Sequence, residues 1–225
     1  MSDNWFSTGY GKVEEEAAKS GGTDFWVRQG ESARIRFLVE EPVTFRQHNP
    51  RIDGQWRRYT CRQGMSGGCP LCEAKNPNRF VGVFTVYDYG ERKDDSGKVT
   101  RVPAGVKSYV QGIRVLRVLT RLHDRQGGLM AQDFEIMRVG TGSDTVYNFL
   151  PQPPTDFPAE ARNPDGSLKV INAREKFAPA TVEELAAAAR ALGGRPEGTS
   201  PPTGAQSSDD DSRSGDEVFS SGTSF

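Results

Sequence analysis

Apolar and charged residues alternate most clearly over residues 33–39, near the start of the chain. Every second side chain there is apolar, and Arg34 and Arg36 occupy positions between them. This period of two predicts a half-buried β-strand with a basic outer face. Residues 43–48 predict a second strand that pairs with the first, and Asp53-Gly54 predicts a hairpin turn that leads into a further strand.

The strongest strand signal is the run of β-branched and aromatic residues at 79–89, which predicts a strand through the centre of the sheet. A shorter strand is predicted at 99–102, and a hairpin of two strands at 132–139 and 145–150. Between these, apolar residues three and four apart predict an amphipathic helix over residues 108–121. Its outer face would carry Arg114, Arg117 and Arg121. The predicted fold class is therefore mainly β with a few helices.

Both ends of the chain differ in composition from its middle. Residues 1–23 are polar and Gly-rich, and residues 193–225 are rich in Gly, Ser, Pro and Asp. Neither stretch has the apolar content of a packed core, so we expect a flexible N-terminal segment and a disordered C-terminal tail around a core of residues 24–192. Just before the tail, Thr181-Val-Glu-Glu184 is a capping box that predicts a helix ending at Gly193.

Charge is unevenly distributed along the chain, although the net value is only −1. Residues 24–140 contain 20 Lys and Arg against 13 Asp and Glu, whereas residues 181–225 contain 3 against 8. A basic middle and an acidic end predict a site for a polyanion and a tail that competes for that site or recruits partner proteins. The simpler interpretation is a tail that only improves solubility. The tail residues concerned are Asp209, Asp210, Asp211, Asp216, Glu217 and the terminal Phe225.

Length and hydropathy narrow the class of protein. A chain of 225 residues with 35% hydrophobic residues is long enough for one domain with tails. It has no apolar run of membrane-spanning length, and residues 1–5 lack the basic and apolar segments of a signal peptide. We therefore expect an intracellular, soluble protein. Its three cysteines are an odd number, which argues against a disulfide framework and favours metal ligands.

One histidine and all three cysteines fall within residues 48–72. Cys69-Pro-Leu-Cys72 has the short spacing that lets two thiolates bind one ion, and His48 and Cys61 would complete a tetrahedral set. Four protein ligands leave no position for water, so the sequence predicts one structural Zn²⁺ ion and not a catalytic one. His123 competes for the fourth position. The alternative is three ordinary buried cysteines and a surface histidine.

Aromatic and cationic residues are interleaved around this predicted metal loop. Proteins that bind single strands without sequence preference stack bases on aromatic rings and hold phosphates with cations. Large aromatics in strands are otherwise core residues, which is the expectation for Trp26, Phe37, Phe45 and Phe84. The residues predicted to bind nucleic acid are Arg34, Arg36, Trp56, Arg57, Arg58, Tyr59, Arg62, Arg79, Phe80, Tyr87, Tyr89, Arg114, Arg117 and Arg121. For each cation the alternative is an ordinary solvated side chain.

The spacing of the cysteine and histidine residues is similar to that of a known family. His48, twelve residues, Cys61, seven residues and Cys69-Pro-Leu-Cys72 follow Arg34-Ile-Arg-Phe-Leu38 and enclose Gly54-Gln-Trp56. This arrangement resembles the zinc-containing single-stranded-DNA-binding (helix-destabilising) proteins of T4-type and related bacteriophages. The ligand roles of that family fall on the four matching positions.

The resemblance covers about residues 26–72 and continues, by strand order alone, to about residue 150. It implies an OB-fold core, a five-stranded barrel, with an inserted zinc-binding subdomain at about 46–78 that braces the DNA cleft. It also implies a role in phage DNA replication, recombination and repair, with an acidic tail that recruits partner proteins. Glu14-Glu15-Glu16 is a departure, because the family begins with a basic segment that drives cooperative binding.

The sequence therefore predicts a non-enzymatic protein that binds single-stranded DNA without sequence preference. Gly140-Thr-Gly-Ser143 is not a phosphate-cradling loop, since it joins two predicted strands and opens no helix. Two alternatives remain open. One is an RNA-binding regulator with the same core. The other is a zinc-stabilised adaptor of a replisome or recombinase, in which the tail is the functional site.

Overall fold

The computed structural model describes residues 23–193. The predicted flexible segment before Thr23 and the predicted tail after Gly193, including its acidic residues and Phe225, lie outside the described residues. Within the described range the strands are β1 (Glu31–Phe37), β2 (Val43–His48), β3 (Arg51–Ile52), β4 (Gln55–Trp56), β5 (Tyr59–Thr60), β6 (Asn78–Asp94), β7 (Val99–Arg101), β8 (Gly105–Gly112), β9 (Asp133–Val139) and β10 (Val146–Gln152).

The helices are fewer and shorter than the strands. They are α1 (Pro70–Glu73), α2 (Ile113–Gln126), α3 (Ala173–Lys176) and α4 (Val182–Gly193), with 3-10 turns at Gly142–Asp144 and Ala159–Ala161. The mainly β class with a few helices is thus confirmed. None of the helices within the described range is both long enough and apolar enough to cross a bilayer.

The predicted central strand is confirmed as β6, which is antiparallel to β1, β2, β7 and β8. Its 17 residues bend at Gly90, where φ is +73° and a Cβ atom would lie 2.3 Å from the carbonyl oxygen of Val102. The pairing with β1 shifts register at the same place, between Ala33 and Ile35. This bulge lets one long strand serve two parts of the sheet.

The predicted pairing of β1 with β2 is wrong. Both strands instead run along the same edge of β6, with Phe37 opposite Val86 and Val43 opposite Val83. Leu38 continues the ladder by donating its N–H to the carbonyl of Thr85 at 2.9 Å. The short connection between β1 and β2 therefore does not reverse the chain, and the two strands act as one interrupted strand.

The five-stranded barrel is not confirmed. The main sheet has eight strands in the order β10-β9-β1-β6-β2-β5, with β7 and β8 also paired to β6, and it does not close. Residues 23–30 cross the opening. Phe25 donates its N–H to the carbonyl of Ser108 on β8 at 2.8 Å, and Gly30 donates to the carbonyl of Arg138 on β9 at 3.0 Å.

The predicted helix at 108–121 begins too early, because residues up to Gly112 pair with β6 as strand β8. Apolar residues at 108–112 fit a strand as well as a helix, so the period alone did not separate the two. Leu116 and Leu119 face the core as predicted, and the exposure of the helix arginines is also confirmed. These are Arg114, Arg117 and Arg121.

Aromatic side chains from three strands form the centre of the main core. Phe37 contacts Phe84 and Phe134 edge to face, at ring-centroid distances of 5.2 and 5.5 Å. The prediction that Phe37 and Phe84 are core residues is confirmed. The prediction that Trp26 is a core residue is wrong. Trp26 is 58% exposed, while its neighbours Phe25 and Val27 are buried.

The opposite face of β6 is also covered, by the segment after β10. Phe157, Ala161 and Leu168 pack with Leu38 and Tyr87 in a separate apolar cluster. Farther along the chain, the backbone N–H of Ile171 donates to the hydroxyl of Thr85 on β6 at 3.1 Å. The outer surface of the β6–β8 pair is therefore an internal surface of the protein.

Candidate metal centre and nucleic-acid interface

The predicted grouping of His48, Cys61, Cys69 and Cys72 is confirmed. One ligand atom from each residue lies within 4.8 Å of every other, and the group is buried apart from the half-buried Cys72. The competing candidate, His123, lies on α2 beside Asp124 and is not part of the cluster.

Local sequence explains how two thiols reach one point. Gly67 and Gly68 have φ values of +82° and +67°, a region that costs other residues strain, and they turn the chain into α1. Pro70 fits the first turn of that helix, where its missing N–H is not needed. Cys69 and Cys72 are then separated by a single helical turn, so both sulfurs face the same side.

The other two residues are held by paired strands. His48 ends β2, where it lies opposite Tyr59 of β5 and opposite Asn78 of β6. Cys61 follows β5 and donates its N–H to the carbonyl of Arg46 at 2.8 Å, which extends the same ladder. The centre therefore joins the paired ends of β2 and β5 to the loop between β5 and β6.

The distances fit one tetrahedral ion. The Nε2 atom of His48 is 3.5 Å from the sulfur of Cys69 and 3.4 Å from that of Cys72, and the sulfurs of Cys61 and Cys72 are 3.4 Å apart. Zinc bonds of about 2.3 Å to sulfur and 2.1 Å to nitrogen would place the ligands roughly 3.5 to 3.8 Å apart. The four side chains could hold one metal ion with little movement.

Hydrogen bonds orient the imidazole toward the thiols. The Nδ1 atom of His48 lies 3.2 Å from both the side-chain oxygen of Asn76 and the carbonyl of Pro77. Because both partners are acceptors, Nδ1 carries the proton and Nε2 offers its lone pair to the metal. Burial lowers the pKa of His48, which favours the neutral, metal-binding form.

The three thiols are not equivalent. Burial, followed by the neighbouring thiols, raises the pKa of Cys61 to about 12. Burial also acts to raise the pKa of Cys69, but backbone and thiol hydrogen bonds outweigh it and the pKa is lowered. Two N–H groups point at the sulfurs. The backbone nitrogen of Gln63 is 3.4 Å from the sulfur of Cys61, and the side-chain nitrogen of Asn78 is 3.6 Å from that of Cys72. Such donors offset the negative charge of bound thiolates.

Helix α4 packs directly on the metal loop, residues 49–77 between β2 and β6. Leu185 and Ala188 of the helix form one buried cluster with Ile52, Leu71 and the cysteines. The predicted capping box is confirmed at the start of α4, by reciprocal hydrogen bonds between Thr181 and Glu184 of 2.8 and 3.2 Å. The helix that precedes the acidic tail is thus seated on the metal loop.

Comparison with known proteins does not identify the chain. No family model matches the chain, and no curated protein sequence matches it. The strand order, the metal centre and the surface around it are therefore the basis for any functional conclusion.

Several residues predicted to bind nucleic acid are on the surface near the metal loop. Trp56 is 58% exposed, and Arg57 is exposed beside it. Arg58 is exposed but forms an ion pair of 3.3 Å with Asp24. Arg79 is exposed and donates to the side-chain oxygen of Gln47 at 3.2 Å. Partial burial of its guanidinium, followed by the like charge of Arg58, lowers its pKa.

Arg62 and Tyr59 are less accessible. Arg62 donates to the carbonyls of Ser66 at 3.0 Å and Ala180 at 3.4 Å, which fixes the loop against the segment before α4. Tyr59 is half-buried against the cluster beneath the metal loop. Both residues therefore support the loop more than they extend its outer surface.

The prediction that Arg36 faces solvent is wrong. Its side chain is only 6% exposed, and it donates to Asp133 at 3.0 Å and to the carbonyls of Met130 and Thr155. Arg34 is bound to the same carboxylate. Since the guanidinium of Arg36 is enclosed and fully engaged, it cannot reach a phosphate.

Two tyrosines predicted to stack on bases are also placed differently. Tyr87 is buried in the cluster that covers the outer face of β6, so the expectation of an accessible ring is wrong. Tyr89 is half-buried, with its hydroxyl 2.8 Å from that of Thr155 and its ring beneath the guanidinium of Arg34 at 4.9 Å. The ring of Tyr87 is therefore inaccessible, and Arg34 covers one face of the ring of Tyr89.

Sequence reasoning missed Arg46, which is exposed and lies opposite Phe80 in the β2–β6 ladder. Phe80 is 37% exposed. Arg46 precedes the ligand His48 by two residues, so strand periodicity places both on the same face of β2. That signal was present in the sequence.

Proposed function

We propose that this chain is a non-enzymatic protein that binds single-stranded DNA without sequence preference, with an OB-like core and one structural zinc ion. The observation that carries this proposal is the position of the metal loop. It connects β2 to β6 and presents exposed cationic and aromatic residues, including Trp56 and Arg57. Stacking rings beside cations suit a flexible polyanion whose bases are accessible.

The strand order supports an OB-like core. With β1 and β2 taken as one interrupted strand, β6, β8, β9 and β10 follow as the second to fifth strands, and α2 lies between the third and fourth. The first strand pairs with both the second and the fourth, and the fifth pairs with the fourth. OB folds are partly open barrels that use the loop between their first two strands to bind oligonucleotides. The metal loop occupies that connection.

Zinc is the proposed occupant of the centre. Three thiolates and one imidazole in a tetrahedral arrangement suit Zn²⁺, and four protein ligands give a closed, structural site. When bound, the ion would join β2, the segment after β5 and α1. The chain's own residues then determine which side chains the loop presents to solvent.

Partner binding through the acidic tail completes the proposal. Five carboxylates between Asp209 and Glu217, and the terminal Phe225, would recruit proteins of DNA replication, recombination or repair. The resemblance to phage helix-destabilising proteins supports these roles. The seating of α4 on the metal loop would keep the start of this tail close to the bound strand.

The test is a fluorescence titration of the zinc-loaded protein with oligo-dT, a random single strand, a matched duplex and an RNA of equal length across a salt series. We expect similar binding to both DNA single strands, much weaker binding to duplex, and steep weakening with salt. Tighter binding to RNA would favour the RNA-binding regulator. Binding to none of them would refute the proposal and favour the adaptor.

Replacing Arg57 and Arg58 together with glutamine is predicted to reduce the salt dependence of DNA binding. Each phosphate contact on a single strand contributes about 0.7 to the slope of log K against log salt, so the slope should fall by roughly 1.4. Arg101→Gln is the matched control, because Arg101 is exposed on β7, which pairs with the end of β6 away from the metal loop. An unchanged slope in the double variant would remove both residues from the interface.

Ending the chain at Gly194 is predicted to strengthen DNA binding, most of all at low salt. The removed residues carry six Asp and Glu against two Lys and Arg, and an anionic segment would compete with DNA for the same cations. The control is the full-length chain with those carboxylates changed to amides. It should bind like the truncated chain, and unchanged affinity in both would count against competition by the tail.

A further inference from the structure

Asn78 lies between the metal centre and an exposed cation. Its side-chain nitrogen is 3.6 Å from the sulfur of Cys72 and 3.9 Å from that of Cys61. Its side-chain oxygen accepts a hydrogen bond of 2.9 Å from the Nη1 atom of Arg46. One amide group thus contacts a ligand on one side and the protein surface on the other.

The chemistry of both neighbours fixes the direction of this amide. A guanidinium can only donate hydrogen bonds, and a metal-bound thiolate can only accept them. The nitrogen of Asn78 must therefore face the sulfurs and its oxygen must face Arg46. A metal-bound centre would hold the amide in this orientation, and through it the guanidinium.

Arg46 is held next to an exposed aromatic ring. It lies opposite Phe80 in the antiparallel pairing of β2 and β6, on the face that also carries Asn78. In the described part of the chain three aromatic side chains are exposed, and Phe80 is the one that belongs to the central strand. The adjacent core residues of β6 begin only at Val81.

The opposite side of the sheet offers no comparable surface. The outer face of β6 and β8 is covered by residues 157–171, and Tyr87 is buried there. A strand that binds near the metal loop can therefore reach the ring of Phe80 but not that of Tyr87.

We infer that Arg46 and Phe80 form one nucleotide-binding unit, in which the ring stacks a base and the guanidinium binds the neighbouring phosphate. Asn78 is a positioning residue that fixes Arg46 from the metal centre. This inference rests on the proposed single-strand binding and names the part of the surface that performs it.

The first experiment compares Phe80→Ala, Arg46→Gln and the control Arg101→Gln in the full chain. Oligo-dT and an abasic strand of the same length are the probes. Losing one base stack should weaken oligo-dT binding roughly 5- to 150-fold and leave abasic binding unchanged. Arg46→Gln should weaken binding to both strands and lower the salt slope by about 0.7.

If both variants match the control while the wild type binds oligo-dT, the inference fails and the proposed function stands. If the wild type binds no strand, both fail.

The second experiment tests the role of Asn78 with a double-mutant cycle. In an Asn78→Ala background, with metal content verified by the absorption of a Co²⁺-substituted sample, Arg46→Gln should cost little further affinity. Asn78→Gln is the second variant, because its amide keeps a donor for the sulfurs and an acceptor for Arg46, and there the same substitution should cost as much as in the wild type. A full effect in the alanine background, or a lost effect in the glutamine background, would overturn the positioning role.

Discussion

Replacing Cys69 and Cys72 with serine is expected to abolish metal binding and to unfold the loop between β2 and β6. Regular structure in that loop is limited to three two-residue strands and one helical turn. Zinc contributes an apparent 10 to 16 kcal/mol to the folding of small zinc peptides. Even a partial loss here should lower the free energy of unfolding by about 5 kcal/mol or more, which is a large fraction of a typical domain's stability.

The effect should extend beyond the loop to α4. The helix packs through Leu185 and Ala188 on a cluster that includes Cys61, Cys69 and Leu71. When these cysteines are no longer held by a metal, the apolar surface beneath the helix loses its support. We expect protease sensitivity to appear first in α4 and the metal loop, and later in β6.

Metal content by mass spectrometry, thermal unfolding and limited proteolysis together check this prediction. Ser66→Ala is the matched control, because Ser66 is exposed on the same loop. The double serine variant should contain no metal and melt at a lower temperature, whereas the control should resemble the wild type. A metal-free variant with wild-type stability would refute a structural role for the centre.

The features that sequence predicted correctly depend on short stretches of chain. Cys69 and Cys72 are three residues apart, and the Thr181–Glu184 capping box is equally local. The β-branched run of β6 also carries its own signal. In each case the interacting residues, or the residues whose β-strand preference decides the element, lie within a short stretch of chain. A pattern in the sequence therefore specifies the structure.

The features that sequence missed depend on distant partners. Arg36 appeared to be an outward cation until Asp133, 97 residues later, placed a carboxylate beneath it. Tyr87 appeared accessible until residues 157–168, which have no regular period, covered it. Strand alternation assigns a side chain to a face, but it does not say what covers that face.

Replacing Asp133 with asparagine is expected to destabilise the fold strongly without changing DNA affinity. Asp133 is completely buried and accepts hydrogen bonds from Arg34, Arg36, Tyr89 and Thr155. Removing one partner from a buried ion pair costs about 3 to 5 kcal/mol, because the other charge stays buried without compensation. Here that charge is the guanidinium of Arg36.

Chemical unfolding and oligo-dT titration of the same samples separate the two effects. Asp156→Asn is the control, since Asp156 is exposed in the segment after β10 and its substitution should change stability by less than about 0.5 kcal/mol. The folded Asp133 variant should keep the wild-type salt slope, because Arg36 is enclosed and Arg34 lies on β1, outside the proposed interface at the metal loop. A changed slope would bring these arginines into the DNA interface, and unchanged stability would contradict the buried ion pair as a support of the core.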